Sequence, residues 1–197
     1  GRNDFHYYGD KTFNASDIGN KSQTHFDDGG FNFLQNTLNA DFSKSFQTVA
    51  SGLNLGLGTE FRYENYKIYK GEPGSYTSFS NKIIHWPDFD NDGNNDSARV
   101  QASGSQGFPG FSNLDEVNAN RTNFSVYADA ALDATKAWLI NGAIRFENYS
   151  DFGTVFTGKL ATRYKVASFF NIRGSVSTGF RAPSLAQIHF SNTLTSF

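Results

Sequence analysis

The stretch FNIRGSVSTGFRAPSLAQ, residues 170–187, decides how the chain is read. In an extended backbone Phe170, Ile172, Gly174, Val176, Thr178 and Phe180 fall on one side. Asn171, Arg173, Ser175 and Ser177 fall on the other. Proline cannot donate to a strand ladder, so the strand is expected to run out at Pro183. One apolar face, one polar face and a proline exit fit a soluble sheet with one wet side. They fit the wall of a membrane barrel equally well, and the flanking sequence has to choose between the two.

Three preceding segments repeat the pattern. Phe124, Val126, Ala128, Ala130 and Leu132 alternate with Ser125, Tyr127, Asp129 and Ala131. Trp138, Ile140, Gly142, Ile144 and Phe146 oppose Asn141, Arg145 and Glu147. Phe156, Gly158, Leu160, Thr162 and Tyr164 oppose Lys159, Arg163 and Lys165. Earlier strands are expected with Leu34, Leu38, Ala40, Phe42 and Phe46 on one face, then with Leu53, Leu55, Leu57, Thr59, Phe61 and Tyr63 against Glu60, Arg62 and Glu64. The opening DFHYY reads as the end of another strand. Period two sustained over about ten residues is the length and pattern of a barrel-spanning strand.

Short connections are expected near 47–51, 133–136 and 165–168. Longer or decorated ones are expected at 9–30, 71–120, 149–153 (of medium length) and after 181. That alternation suits an up-and-down barrel with short turns at one end and long loops at the other. Aromatics near strand ends (Phe146 with Tyr149, Tyr164 with Phe169 and Phe170, and Phe180) read as interface girdles. The fold expected is therefore all-β: a transmembrane antiparallel up-and-down β-barrel, present as a partial set of strands. The competing reading is a soluble antiparallel sandwich.

Composition narrows the function. A net charge of −2 gives no electrostatic case for nucleic acid. There are no cysteines, which removes disulfides and thiolate metal sites. No run of about 18 apolar residues offers a transmembrane helix. With 21 Phe and 9 Tyr the mean hydropathy is still −0.51, so the apolar residues are dispersed singly, as a sheet with one wet face requires. No signal peptide is visible, and with methionine absent the chain is expected to be processed or a fragment.

The string DFDNDGNND, residues 88–96, has the spacing of a calcium loop. Asp88, Asp90, Asp92 and Asp96 take positions 1, 3, 5 and 9, Gly93 takes the turn position, and Asn94 offers its carbonyl at position 7. Position 12 is Arg99 where a bidentate Glu would stand, so the site would be a lone, weak loop; the alternative is a solvated acidic turn. Histidines 6, 25, 85 and 189 lack paired spacing and read as surface or girdle residues. No Ser/His/Asp arrangement supports nucleophilic catalysis. Glycine density at 103–111 lacks the Lys-Ser/Thr ending of a phosphate loop. Glu60, Arg62, Glu64, Asp129, Arg145, Glu147, Arg163 and Arg173 are expected on a wet wall, where they either face a ligand or plug or simply carry solvated charge.

Six stretches, in order, resemble the barrel of TonB-dependent outer-membrane receptors. They are GGFNFLQNTLNADFSKSF (29–46), GTEFRYENYKIYKGEPGSY (58–76), QGFPGF (106–111), YSDFG (149–153), KLATRY (159–164) and STGFRAPSLAQ (177–187). The resemblance is to receptors of the iron-complex or siderophore type. It implies a 22-stranded barrel of which residues 1–197 are an interior slice, with the plug domain and the TonB-binding N-terminal region elsewhere. It further implies active import of a scarce nutrient complex across a Gram-negative outer membrane, contact with lipid, no catalysis and no required cofactor. A complete eight-stranded barrel is the rival, but stepping back from Phe197 by twos gives Thr195, Thr193, Ser191 and His189, which is no lipid-facing strand. A passive porin or structural barrel, and a soluble β-rich binding module with a calcium loop, are the alternative functions.

Overall fold

A computed structural model describes residues 1–16, 22–79 and 103–191, together with the backbone of 83–85 and 98–100. Seven strands form one antiparallel sheet: β1 (Arg2–Asp10), β2 (His25–Phe46), β3 (Leu53–Tyr69), β6 (Val117–Thr135), β7 (Trp138–Tyr149), β8 (Gly153–Ala167) and β9 (Phe170–Ser177). Their order in the sheet is their order in the chain. A two-stranded hairpin of β4 (Ile83–His85) and β5 (Ala98–Val100) lies between β3 and β6. The helices are single turns, α1 (Pro73–Tyr76) and α2 (Leu185–His189). The string 88–96 and its five candidate calcium ligands lie outside the described residues.

The chain divides into two units. The first comprises residues 35–64 and 120–184 with Gly1, and so holds most of β2, β3 and β6 and all of β7 to β9. Its registers line up the expected rows. Phe146 pairs with Val126 and Phe156, Ile144 with Ala128 and Gly158, and Gly142 with Ala130 and Leu160. In the Ile144 and Gly142 rows large side chains thus stand beside small ones, while the Phe146 row is apolar and bulky throughout. That face is open: Leu38 and Phe42 are each 72% exposed, Val176 68% and Phe156 65%. A soluble sandwich would bury these rows against a second sheet, and within this unit nothing covers them.

On the polar face, small residues decide reach. Side chains added at Gly56 and Gly58 would overlap Asp129 and the Tyr127 ring, which lie flat across β3. Tyr127 thereby crosses β3 to donate its hydroxyl hydrogen to Asp41 of β2. The turns follow local chemistry. Thr135 Oγ1 accepts from the Ala137 and Trp138 amides (3.2 and 3.1 Å) and closes the β6–β7 turn.

Three expectations are corrected. The connection at 149–153 is tight: Gly153 adopts φ 92° and pairs with Tyr149, leaving three residues in the turn. Residues 70–116 form the long connection, because β3 continues to Tyr69 and β6 already starts at Val117. Strand β9 stops at Ser177, six residues before Pro183. Beyond one further backbone bond, Thr178 N–H to Gly158 O (2.9 Å), the chain leaves β8 and its parity lapses.

The second unit comprises residues 2–34, 65–119 and 185–197. Its described part buries Tyr66, Ile68, Phe111 and Leu185, with Phe31, Phe33, Phe108 and Val117 packed against them. Backbone bonds knit the long connection to the start of β2: Phe111 N–H donates to Asp28 O and Gly71 N–H to Phe111 O, both at 2.9 Å. Asn14, fully buried, ties its loop down by donating from Nδ2 to the carbonyls of Gly74 and Thr77 (2.9 Å each).

Ile144→Arg, mid-strand on the open apolar face, should cost the protein about 2–4 kcal/mol of folding stability in a bilayer. Ser175→Arg, on the polar face, should cost far less. Denaturant titrations of the full protein in lipid vesicles compare them directly; equal losses would show that the two faces do not differ in solvent.

Candidate functional site

The polar face of the first unit carries an ordered set of charges. Glu60 on β3 and Glu147 on β7 alternate with Arg62 on β3 and Arg145 on β7. Arg62 Nη2 meets Glu60 Oε1 at 2.6 Å. Arg145 Nη2 reaches Glu147 Oε1 at 3.0 Å, Glu60 Oε1 at 3.3 Å and Ser125 Oγ at 2.8 Å. The Arg145 guanidinium also lies 5.2 Å from the centre of the Tyr127 ring. Glu147 is 8% exposed, so these side chains surround it more than bulk water does.

A second cluster centres on Arg121, which is 2% exposed. Its Nε and Nη2 contact Asp151 Oδ2 at 2.8 and 2.7 Å, its Nη1 lies 3.5 Å from Glu64 Oε2, and the same Nη1 donates to the Pro183 carbonyl at 2.9 Å. The cation sits over Phe152 and Tyr149, at 5.4 and 5.9 Å. Phe152 stacks on Tyr149 (4.3 Å) and packs against Phe180 (5.5 Å). One buried guanidinium therefore joins a strand, a turn and the segment that follows β9. The capture of Pro183 explains why the chain leaves the ladder after Ser177.

Between the wall and residues 179–184 lies a cavity of about 450 Å³ lined by Arg62, Arg145, Glu147, Tyr149, Phe180 and Arg181. Its charges are mixed, and guanidinium groups alternate with carboxylates. Such a lining can bind polar groups and exclude apolar ones, but it sets up no nucleophile with a base beside it.

Several sequence expectations meet here. Glu60, Arg62, Arg145 and Glu147 are brought into contact and Glu64 joins Arg121. Asp129 points over Gly56, away from that network. Arg163 and Arg173 lie elsewhere on the polar face, directly opposite one another. Tyr149 and Phe180 are not girdle residues. Tyr149 shares the polar face with Glu147 and is 7% exposed, and Phe180 lies past the end of its strand and folds onto Phe152. Nothing in the sequence marks Arg121 out, although its odd number puts it in line with Asn123, Ser125 and Tyr127.

In the second unit His6 and His25 flank Tyr8, with ring centres 4.4 and 5.9 Å away, and His6 Nε2 lies 2.8 Å from Asp27 Oδ1. The histidines distant in sequence are thus brought to one ring stack. Among the described residues no three His, Asp or Glu side chains converge as a metal site.

A family model described as TonB dependent receptor-like, beta-barrel, matches residues 1–196. No curated protein and no solved structure gives a significant match.

Arg121→Gln should destabilise the full protein by about 3–5 kcal/mol, because Asp151 and Glu64 lose a buried counter-charge. Arg2→Gln, at an exposed pair with Asp4, should cost about 0–1 kcal/mol. Denaturant midpoints in detergent micelles measure both, and an Arg121 loss as small as that of Arg2 would remove the anchoring role.

Proposed function

We propose, for a chain that belongs to the TonB-dependent receptor-like β-barrel family, that these residues form part of the wall through which a scarce nutrient complex is actively imported. The family is one of outer-membrane transport receptors of Gram-negative bacteria and not an enzyme family. The cargo proposed is a siderophore or another iron complex. The single observation that carries the reading is the split of one sheet into an exposed apolar face and an ion-paired polar face, seen on β3, β6 and β7. The apolar face meets lipid. The polar face lines a lumen in which fixed Arg and Glu side chains can exchange water for polar groups of a plug or a passing ligand. TonB would supply the energy by acting on a segment other than this wall.

In this reading the connection 70–116 and the turn 150–152 lie outside the cell, and the turns near 47–52, 136–137 and 168–169 lie on the periplasmic side. Asp88, Asp90, Asp92, Asn94 and Asp96 are then on an outer loop, where calcium is plentiful. With Arg99 at the twelfth position the affinity proposed is that of extracellular modules, about 10⁻⁴–10⁻³ M.

Uptake tests the transport reading. Cells lacking this protein should lose import of a radiolabelled ferric siderophore, and cells lacking TonB should lose it equally. Uptake that persists without TonB would point to a passive porin. A loss confined to a different nutrient would overturn the iron assignment and leave active transport standing. For the loop, calorimetry with millimolar Ca²⁺ should give heat that Asp90→Ala and Asp92→Ala abolish; the same heat in all three proteins would make the string an acidic turn.

A further inference from the structure

One part of the polar face is not neutralised. On β8 and β9 the residues Lys159, Arg163, Lys165 and Arg173 all have the odd numbers of the polar side. Arg163 and Arg173 are direct cross-strand partners. Side chains so placed start about 4.5–5.5 Å apart, and like charges in that position destabilise a sheet. The other arginines of this face, Arg62, Arg121 and Arg145, each hold a carboxylate. Among the described residues Lys159, Arg163 and Arg173 form no ion pair with a carboxylate. Asp129 is separated from Lys159 by Ala143 and is turned toward Gly56.

The same residues surround a hollow. A cavity of about 420 Å³ is lined by Asn141, Lys159, Ala161, Arg163, Arg173 and Ser175. The short side chains of Ala161 and Ser175 are themselves cross-strand partners and form its floor. Two guanidinium forks, one ammonium, one amide and one hydroxyl converge there. Planar forks match carboxylate and phosphate oxygens two at a time. The three basic side chains are exposed, so they can rearrange around a guest.

We propose that this hollow is an anion-binding cradle for a group with two or more oxyanions, held between Arg163 and Arg173 with Lys159 and Asn141 beside them. Lipid phosphates are on the wrong side of the sheet to fill it if the polar face lines the lumen, and the proposal rests on that reading. The oxyanions then come either from a soluble polycarboxylate or phosphate compound in the lumen, or from acidic side chains of another part of the same protein.

The full protein in detergent, at constant ionic strength, separates these sources. Citrate and pyrophosphate are titrated by calorimetry into wild type, Arg163→Gln, Arg173→Gln and the control Arg2→Gln, and thermal midpoints are taken without probe. A soluble occupant gives heat in wild type and in the control, with at least a tenfold weaker affinity in the two cradle variants. An occupant from the protein itself gives no heat, but each cradle variant melts several degrees lower while Arg173→Lys, which keeps the charge, melts close to wild type. An empty cradle gives no heat and a midpoint that stays or rises in Arg163→Gln, because removing one of two facing cations relieves repulsion; that result overturns the proposal. Failure of the lumen reading is recognised separately, by a full protein that stays monodisperse without detergent.

Discussion

A backbone that crosses hydrocarbon must satisfy every amide and carbonyl within the protein, because lipid offers neither donor nor acceptor. The sheet meets this demand from β2 through β8, where each strand is hydrogen-bonded on both sides. At β1 and β9 it meets the demand on one side only. In a bilayer those two edges need further strands. Isolated in water the same edges would invite pairing with other chains. Strand length, alternation and turn placement all follow from this constraint, since a ladder that cannot be interrupted leaves only side chains free to choose a solvent.

The side chains divide by parity. One face of the first unit carries apolar residues that stay exposed among the described residues, and the other carries charges of which Glu60, Arg62, Glu64, Arg121, Arg145 and Glu147 hold partners within 4 Å. Pairing is what makes a charged wall tolerable close to a low-dielectric layer. Arg121 goes further, since its Nε and Nη1 donate to two carboxylates and a backbone carbonyl while two aromatic rings lie close to the cation. A lysine could supply the charge but not that geometry.

Much of this was legible in the sequence. The rows Phe124–Leu132, Trp138–Phe146 and Phe156–Tyr164 lie on the faces assigned by counting in twos, because a strand fixes side-chain direction whatever its neighbours are. What escaped depends on contacts between distant residues. The register of Tyr149 shows that it is inward, yet its aromatic character suggested a girdle. Phe180 kept an even number after the strand had ended, and only the hold of Arg121 on Pro183 reveals that end. Arg121 itself is one arginine in the polar run NANRTN, and nothing local marks it as the largest fully buried side chain among the described residues. The reach of Tyr127 to Asp41 depends on Gly58 of an intervening strand, which is invisible until the strands are ordered.

The central claim is that the two faces of one strand meet different solvents. Residues 1–197 contain no cysteine, so a single introduced one is unique within them. Spin labels placed one at a time through substitutions from Leu139→Cys to Glu147→Cys, in the full protein reconstituted into bilayers, report collisions with oxygen from lipid and with a water-soluble nickel chelate. Oxygen accessibility should peak at positions 140, 142, 144 and 146, and chelate accessibility at 141, 143, 145 and 147, the two running out of phase with period two. Chelate access to the even positions, or no alternation at all, would contradict the account.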